Sequence, residues 1–182
     1  MNENKSYLLK GAMTYGFVLG IYWVVKYIFL ILGGPMSLLS MLYLVLTAAV
    51  PFVAYLLTKR YKQEIGGMIS FFHAWRFGVL LYFFAALIVS LAHFAYYQFF
   101  APQNFLLNAT HQLLDLMKQS NVDTELIESI GKIQTTPIHM AIQGIFNNVF
   151  YGIIFSIPVA AIISRDKQPK DAGVTEHNAE QQ

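Results

Sequence analysis

The chain has 182 residues, of which 56% are hydrophobic and only 12% charged, and its mean hydropathy is +0.49. That is too apolar for an ordinary water-soluble domain of this size and points to an all-α, polytopic membrane protein. A formal net charge of +2 leaves no basic excess for nucleic acid, and the absence of cysteine excludes disulfides, thiolate nucleophiles, Cys-ligated zinc and iron–sulfur clusters.

A helix rises about 1.5 Å per residue, so roughly 20 apolar residues cover a hydrocarbon core of about 30 Å. Four stretches meet that length, and none shows the alternation that a strand requires. The first, about 11–32, follows Lys5 and Lys10 and contains one charge, Lys26. It is longer than the apolar region of a secretory signal and ends in Gly33-Gly34-Pro35 rather than a small-x-small cleavage pattern, so it reads as an uncleaved span. The short connection through Ser37 makes it an antiparallel hairpin with the second span, about 38–57. Lys59, Arg60 and Lys62 end that second span, Gly66-Gly67 break the chain, and Ser70 is placed to cap the third, about 72–100. The third span opens on His73, Trp75 and Arg76, an interfacial composition, and from Phe77 onward holds only His93 as an ionisable group.

The connection 101–137 is too long for a structureless loop in a compact protein. Leu106, Ala109, Leu113, Leu116 and Met117 recur at helical spacing, and Val122, Leu126, Ile130 and Ile133 repeat the pattern after Asp123, a candidate cap. Two amphipathic helices are expected, lying on the bundle mouth or the lipid interface; a gating lid or a docking surface is the alternative. Thr136-Pro137 then reads as N-cap and first position of the fourth span, about 138–164. A transmembrane domain over 1–164 is therefore expected to precede a polar tail, 165–182, with the composition of a disordered cytoplasmic segment.

Cation placement orients the bundle. Lys5, Lys10, Lys59, Arg60, Lys62, Arg76, Arg165, Lys167 and Lys170 fall on one side, and only Lys118 and Lys132 on the other. The positive-inside rule puts the first group, and with it both termini, in the cytoplasm. Lys59, Arg60, Lys62, Arg76 and Arg165 are thereby expected to be interfacial anchors to the lipid bilayer.

In the fourth span Gly144, Asn148, Gly152 and Ser156 recur every four residues, which lines one helical face with small groups and predicts a close-packed seam. Gly16 and Gly20 repeat the device in the first span, for packing within the chain or between copies. Beside the seam, Gln143, Asn147 and Tyr151 form a second, polar stripe. Lys26, His93, Gln143 and Asn147 fall at overlapping depths, as a polar pocket able to hold an anion or a lipid headgroup would require. The competing reading has Lys26 snorkel to the interface while the amides bond across helices. Val50-Pro51 and Ile157-Pro158 also stand at similar depths ahead of a cation, the mark of a duplicated hairpin or of chance similarity between apolar segments. The five histidines form no HExxH pair, there is no GxSxG elbow or GxxxxGK[ST] loop, and no acid lies within a span. No catalytic residue, metal site or cofactor is therefore expected.

The Gly-rich stretch Gly11–Gly20, the segment Ile69-Ser70-Phe71-Phe72-His73-Ala74-Trp75-Arg76-Phe77-Gly78, and Thr136-Pro137 with the span ending near Arg165 carry a resemblance. The chain resembles a domain-of-unknown-function family, number 4199, frequent in Bacteroidota. The resemblance implies a four-helix protein of the bacterial inner membrane and brings no activity to transfer. The expected function is that of a non-enzymatic interaction or accessory protein, acting with a second copy or another membrane protein. The alternative is a small oligomeric transporter or channel built around the polar pocket.

Overall fold

The computed structural model describes residues 2–33, 37–102, 104–132 and 136–165. Among them the chain forms seven helices: α1 (Asn2–Leu32), α2 (Leu38–Ala48), α3 (Val50–Glu64), α4 (Phe71–Phe99), α5 (Phe105–Gln119), α6 (Thr124–Gly131) and α7 (Pro137–Arg165). Part of the predicted first turn (Gly34, Pro35, Met36), Ile133 and the tail beyond Arg165 lie outside the described residues.

Helix starts are set by local chemistry. Ser70 accepts from the backbone N–H of His73 at 3.3 Å, and Thr136 from that of His139 at 3.4 Å, so each hydroxyl satisfies a donor that the first turn cannot pair internally. Asp123 does the same for Glu125 N–H at 3.1 Å. Gly66 and Gly67, at φ +98° and +79°, turn the chain between α3 and α4 through a region that side chains disfavour.

Three helical segments, Tyr7–Leu32, Phe71–Phe99 and Pro137–Arg165, are long and apolar enough to cross a membrane. The second predicted span departs from the single straight helix expected over 38–57. It is a pair, α2 and α3, bent by 42° at Ala49, and it reaches the required length only when the two are taken together. The physical reason is Pro51, which has no N–H for the Thr47 carbonyl and whose ring crowds the preceding turn. Pro158, by contrast, sits inside an α7 that runs unbroken to Arg165. Five residues before each proline, a carbonyl accepts from an aromatic side chain: Leu46 from the Tyr22 hydroxyl at 2.6 Å, and Ile153 from the Trp75 indole at 3.2 Å. The two prolines thus share a local hydrogen-bonding pattern, but only Pro51 stands at a break between two helices.

Helix α4 is the centre of the molecule and packs along α7 on one side and α1 on the other. Close approach is what the small residues provide. A Cβ built at Gly16 would lie 2.5 Å from that of Phe84, one at Gly20 2.7 Å from that of Ile88, and one at Gly152 would collide with Tyr82. Gly16 and Gly20 therefore face α4 of the same chain. The core contains Leu19, Trp23, Phe77, Leu81, Tyr82, Ala85 and Val89, with Tyr61 of α3 stacked on Phe77 at a centroid separation of 4.0 Å.

One end of the bundle, here the basic end, gathers the start of α1, the end of α3, the start of α4 and the end of α7. Tyr15 donates to Glu64 at 2.6 Å, Tyr61 and His73 share a hydrogen bond of 2.8 Å, and Lys62 donates to the Ile163 carbonyl at 3.0 Å. At the opposite, far end, α2 leans on α1 while α5 and α6 pack on each other as a hairpin.

Candidate functional site

The bend between α2 and α3 has a consequence for packing. Helix α3 reaches α7, α4 and α1, whereas α2 packs on α1 and α3. The space between α2 and α7 remains as a cavity of about 580 Å³.

Each wall can be traced to its element. From α1, Trp23 and Lys26 stand three residues apart and so share a face. From α2 come Tyr43 and Thr47, four apart, followed by Ala48, Val50 and Pro51 at the bend itself. Tyr82 of α4 closes the back, and Asn148, Tyr151 and Phe155 of α7 form the opposite side. The lining is mostly apolar, and its polar members are one ammonium, one indole N–H, one amide and four hydroxyls.

Lys26 is the one cation of the lining. Its ammonium donates to the Thr47 hydroxyl at 3.3 Å and lies 5.8 Å from the Trp23 ring centroid and 5.5 Å from that of Tyr43. Aromatic faces attract a cation but do not neutralise it. The apolar segments bring it no carboxylate, and the ion pair that forms between described residues, Lys118 with Asp115, lies on α5. Beneath the ammonium, Trp23 and Tyr82 are 4% and 2% exposed and meet edge to face at 5.6 Å. Neither the Trp23 indole nitrogen nor the Tyr82 hydroxyl has a hydrogen-bond partner. Unpaired buried donors are costly, and native structures contain few of them.

Comparison with known proteins places the chain. Residues 14–165 match the model of the family described as Protein of unknown function (DUF4199). The chain belongs to that family. No curated protein and no solved structure matches it. The DUF4199 match spans both sides of the cavity, from Trp23 and Lys26 to Asn148 and Phe155.

Within this DUF4199 chain, two of the four residues expected to form a pocket are neighbours, since Lys26 and His93 lie within electrostatic reach of each other, and the other two are exposed. Lys26 lines the cavity, and the adjacent Tyr27 takes His93 against its ring, with centroids 4.1 Å apart. His93 sits there beside Gly144, where a built Cβ would be 3.5 Å from its Nδ1. Gln143 and Asn147 are exposed on the outside of α7. The correction amounts to one residue: successive helix positions turn by about 100°, so Asn148 faces the cavity and Asn147 faces away. The spacing of Asn148 predicts a place in the packing seam, and Gly152 and Ser156 lie in that seam, buried against Tyr82 and Gly78.

Among the basic anchors, Lys59 is partly exposed and Arg60, Arg76 and Arg165 are exposed, but Lys62 is 5% exposed and is committed to α7. Nothing in the sequence alone directly marks Trp23, Tyr43 or Thr47 as lining a site. The available signal was Pro51, because a proline inside an apolar helix predicts a bend, and Lys26 at three residues from Trp23 indicates which ring would stand beside it.

Proposed function

We propose that this protein is a four-span, non-enzymatic accessory protein of the bacterial inner membrane, with both termini in the cytoplasm, that works by associating with a second copy of itself through α7. The observation that carries the reading is the exposure of Gln143 and Asn147 on the outward face of a 29-residue apolar helix. An amide facing hydrocarbon has no water to bond, and a partner helix offering the same amides satisfies both. Tyr151, one turn further on and 54% exposed, extends the stripe toward the middle of α7.

The topology is supported by the clustering of Lys59, Arg60, Arg76 and Arg165 with the bonds that tie α3, α4 and α7 at the basic end. Treating the bent α2–α3 pair as one span returns the chain to that end before α4 begins. Cysteine substitution tests this on a chain with no native thiol. In intact spheroplasts, single cysteines at Ser37 and Asn121 should react with an impermeant maleimide, and one at Gln63 should react only after permeabilisation. Labelling of Gln63→Cys in intact spheroplasts would reverse the orientation.

Self-association is tested by light scattering in detergent, where the 20.6 kDa chain should run as a multiple of its own mass. Oxidation of membranes carrying Asn147→Cys should give a cross-linked dimer, and Asn147→Leu should shift the population toward monomer. A strictly monomeric wild type would remove the reading. A small oligomeric transporter or channel is the second reading, favoured by the cavity beside Lys26; ion or solute flux in proteoliposomes is its test.

A further inference from the structure

We infer that the cavity at the α2–α3 bend is a binding site for an amphiphile with one acidic headgroup, carboxylate or phosphate, on an apolar tail, taken up sideways from the bilayer. Two features converge on this headgroup chemistry. Lys26 is a partly buried cation held by a hydroxyl and two aromatic rings, with no carboxylate partner among the described residues. An anion is the ligand that supplies the missing charge, and an intramembrane cation is costly until it is supplied. The polar neighbours Thr47 and Asn148 can each donate to an acceptor oxygen, and Trp23 and Tyr82 add a buried indole N–H and a buried hydroxyl without a partner.

The position of the cavity selects an amphiphile over a free ion. Tyr151 and Phe155, which line it on the α7 side, are exposed and stand near the middle of the 29-residue α7. An opening at that level faces hydrocarbon. Lys26 lies six residues, about 9 Å, from the far end of α1, whereas Phe155 and Pro51 continue the cavity toward the basic end. A headgroup at Lys26 with its tail running along Phe155 has the orientation of a lipid in the leaflet at the far end. The volume of about 580 Å³ accommodates a headgroup and the first part of a chain.

The site depends on the helices lying in a membrane, as in the reading above, but not on self-association. It is tested on the full chain in neutral detergent, by native mass spectrometry and thermal unfolding, with phosphatidylglycerol, palmitate and phosphatidylcholine as probes. Wild type should retain and be stabilised by an acidic probe and not by phosphatidylcholine. Retention of phosphatidylglycerol alone identifies a bilayer lipid, of palmitate alone a free fatty acid, and of both a site that reads headgroup charge. Lys26→Met should weaken the acidic probe by at least about tenfold, Lys26→Arg should restore it, and Lys59→Met, at the basic end, should leave it unchanged. Equal retention of phosphatidylcholine, or undiminished binding by a folded Lys26→Met, would overturn the inference. Unchanged maleimide labelling at Ser37 and Asn121 in the same variant would show that the topology stands even where the site does not. Should Lys26→Met fail to fold, Thr47→Val and Asn148→Ala, which leave the cation in place, serve as the second pair; binding unaffected by both would also overturn it.

Discussion

Lys62 of α3 donates its ammonium to the backbone carbonyl of Ile163 at 3.0 Å, two residues before the end of α7. The last carbonyls of a helix have no partner within it, and they carry the negative end of its dipole. A cation delivered from a neighbouring helix satisfies both and fastens the first half of the chain to its last turn. Lys62→Met keeps most of the aliphatic packing and leaves the carbonyl unpaired, so it should lower stability by about 1–3 kcal/mol. Lys59→Met, nearby and partly exposed, should stay within about 0.5 kcal/mol. Thermal unfolding of both variants in the same detergent checks the contrast.

The seam between α4 and α7 is graded along its length. At Gly152 a Cβ would run into the Cβ of Tyr82, whereas at Gly144 the nearest atoms would be His93 Nδ1 at 3.5 Å and Ser90 Oγ at 3.6 Å, ordinary contacts. Gly152→Ala should therefore force the helices apart and destabilise by about 1–3 kcal/mol. Gly144→Ala should be neutral or stabilising by up to about 1 kcal/mol, because alanine is the better helix former. Equal effects at the two positions, measured by denaturant or heat, would mean that the helices are not held at this separation.

The bend gives a third test. The Tyr22 hydroxyl donates to the Leu46 carbonyl at 2.6 Å, and in the four-span arrangement proposed above water cannot substitute there. Tyr22→Phe removes the hydroxyl and little else, and should cost about 1–3 kcal/mol. If the bond also holds α2 in place, Tyr22→Phe should increase labelling of a cysteine at Thr47 by a lipid-soluble maleimide. Unaltered stability and labelling together would assign the bend to Pro51 alone.

Much of this architecture is legible in the sequence because its signals are local. Apolar length marks α1, α4 and α7, and Ser70, Asp123 and Thr136 announce the helices they cap. The spacing of Gly152 and Ser156 identifies a face, and that face is buried. What the sequence leaves open is rotation and direction. Asn147 and Asn148 are chemically identical and differ by one step of about 100°, so only the packing of α7 on α4 decides which of them meets the cavity. Lys62 belongs to a basic cluster whose other members are at least partly exposed, and its burial follows from where α7 ends, a contact 101 residues away along the chain. Pro51 and Pro158 look alike in their segments, yet one stands at a break between two helices and the other within a continuous helix.

The α5–α6 hairpin should be the least protected of the helical regions. Its own core is small, with Ile127 buried and Leu114 beside Gly131, and its packing is mainly internal. Phe105 stacks on Tyr97 at 5.7 Å and so ties the start of α5 to the end of α4. Few buried contacts mean a low free energy of local opening. Hydrogen exchange in detergent should therefore be orders of magnitude faster in 107–131 than in 77–90 of α4. Asp123→Ala should raise exchange within α6 further, by the loss of a cap worth about 0.5–2 kcal/mol, while leaving α4 unchanged. Protection of α5 and α6 equal to that of α4 would mean that the hairpin is docked on a surface of the bundle or of a partner, in keeping with a lid rather than an interfacial helix pair.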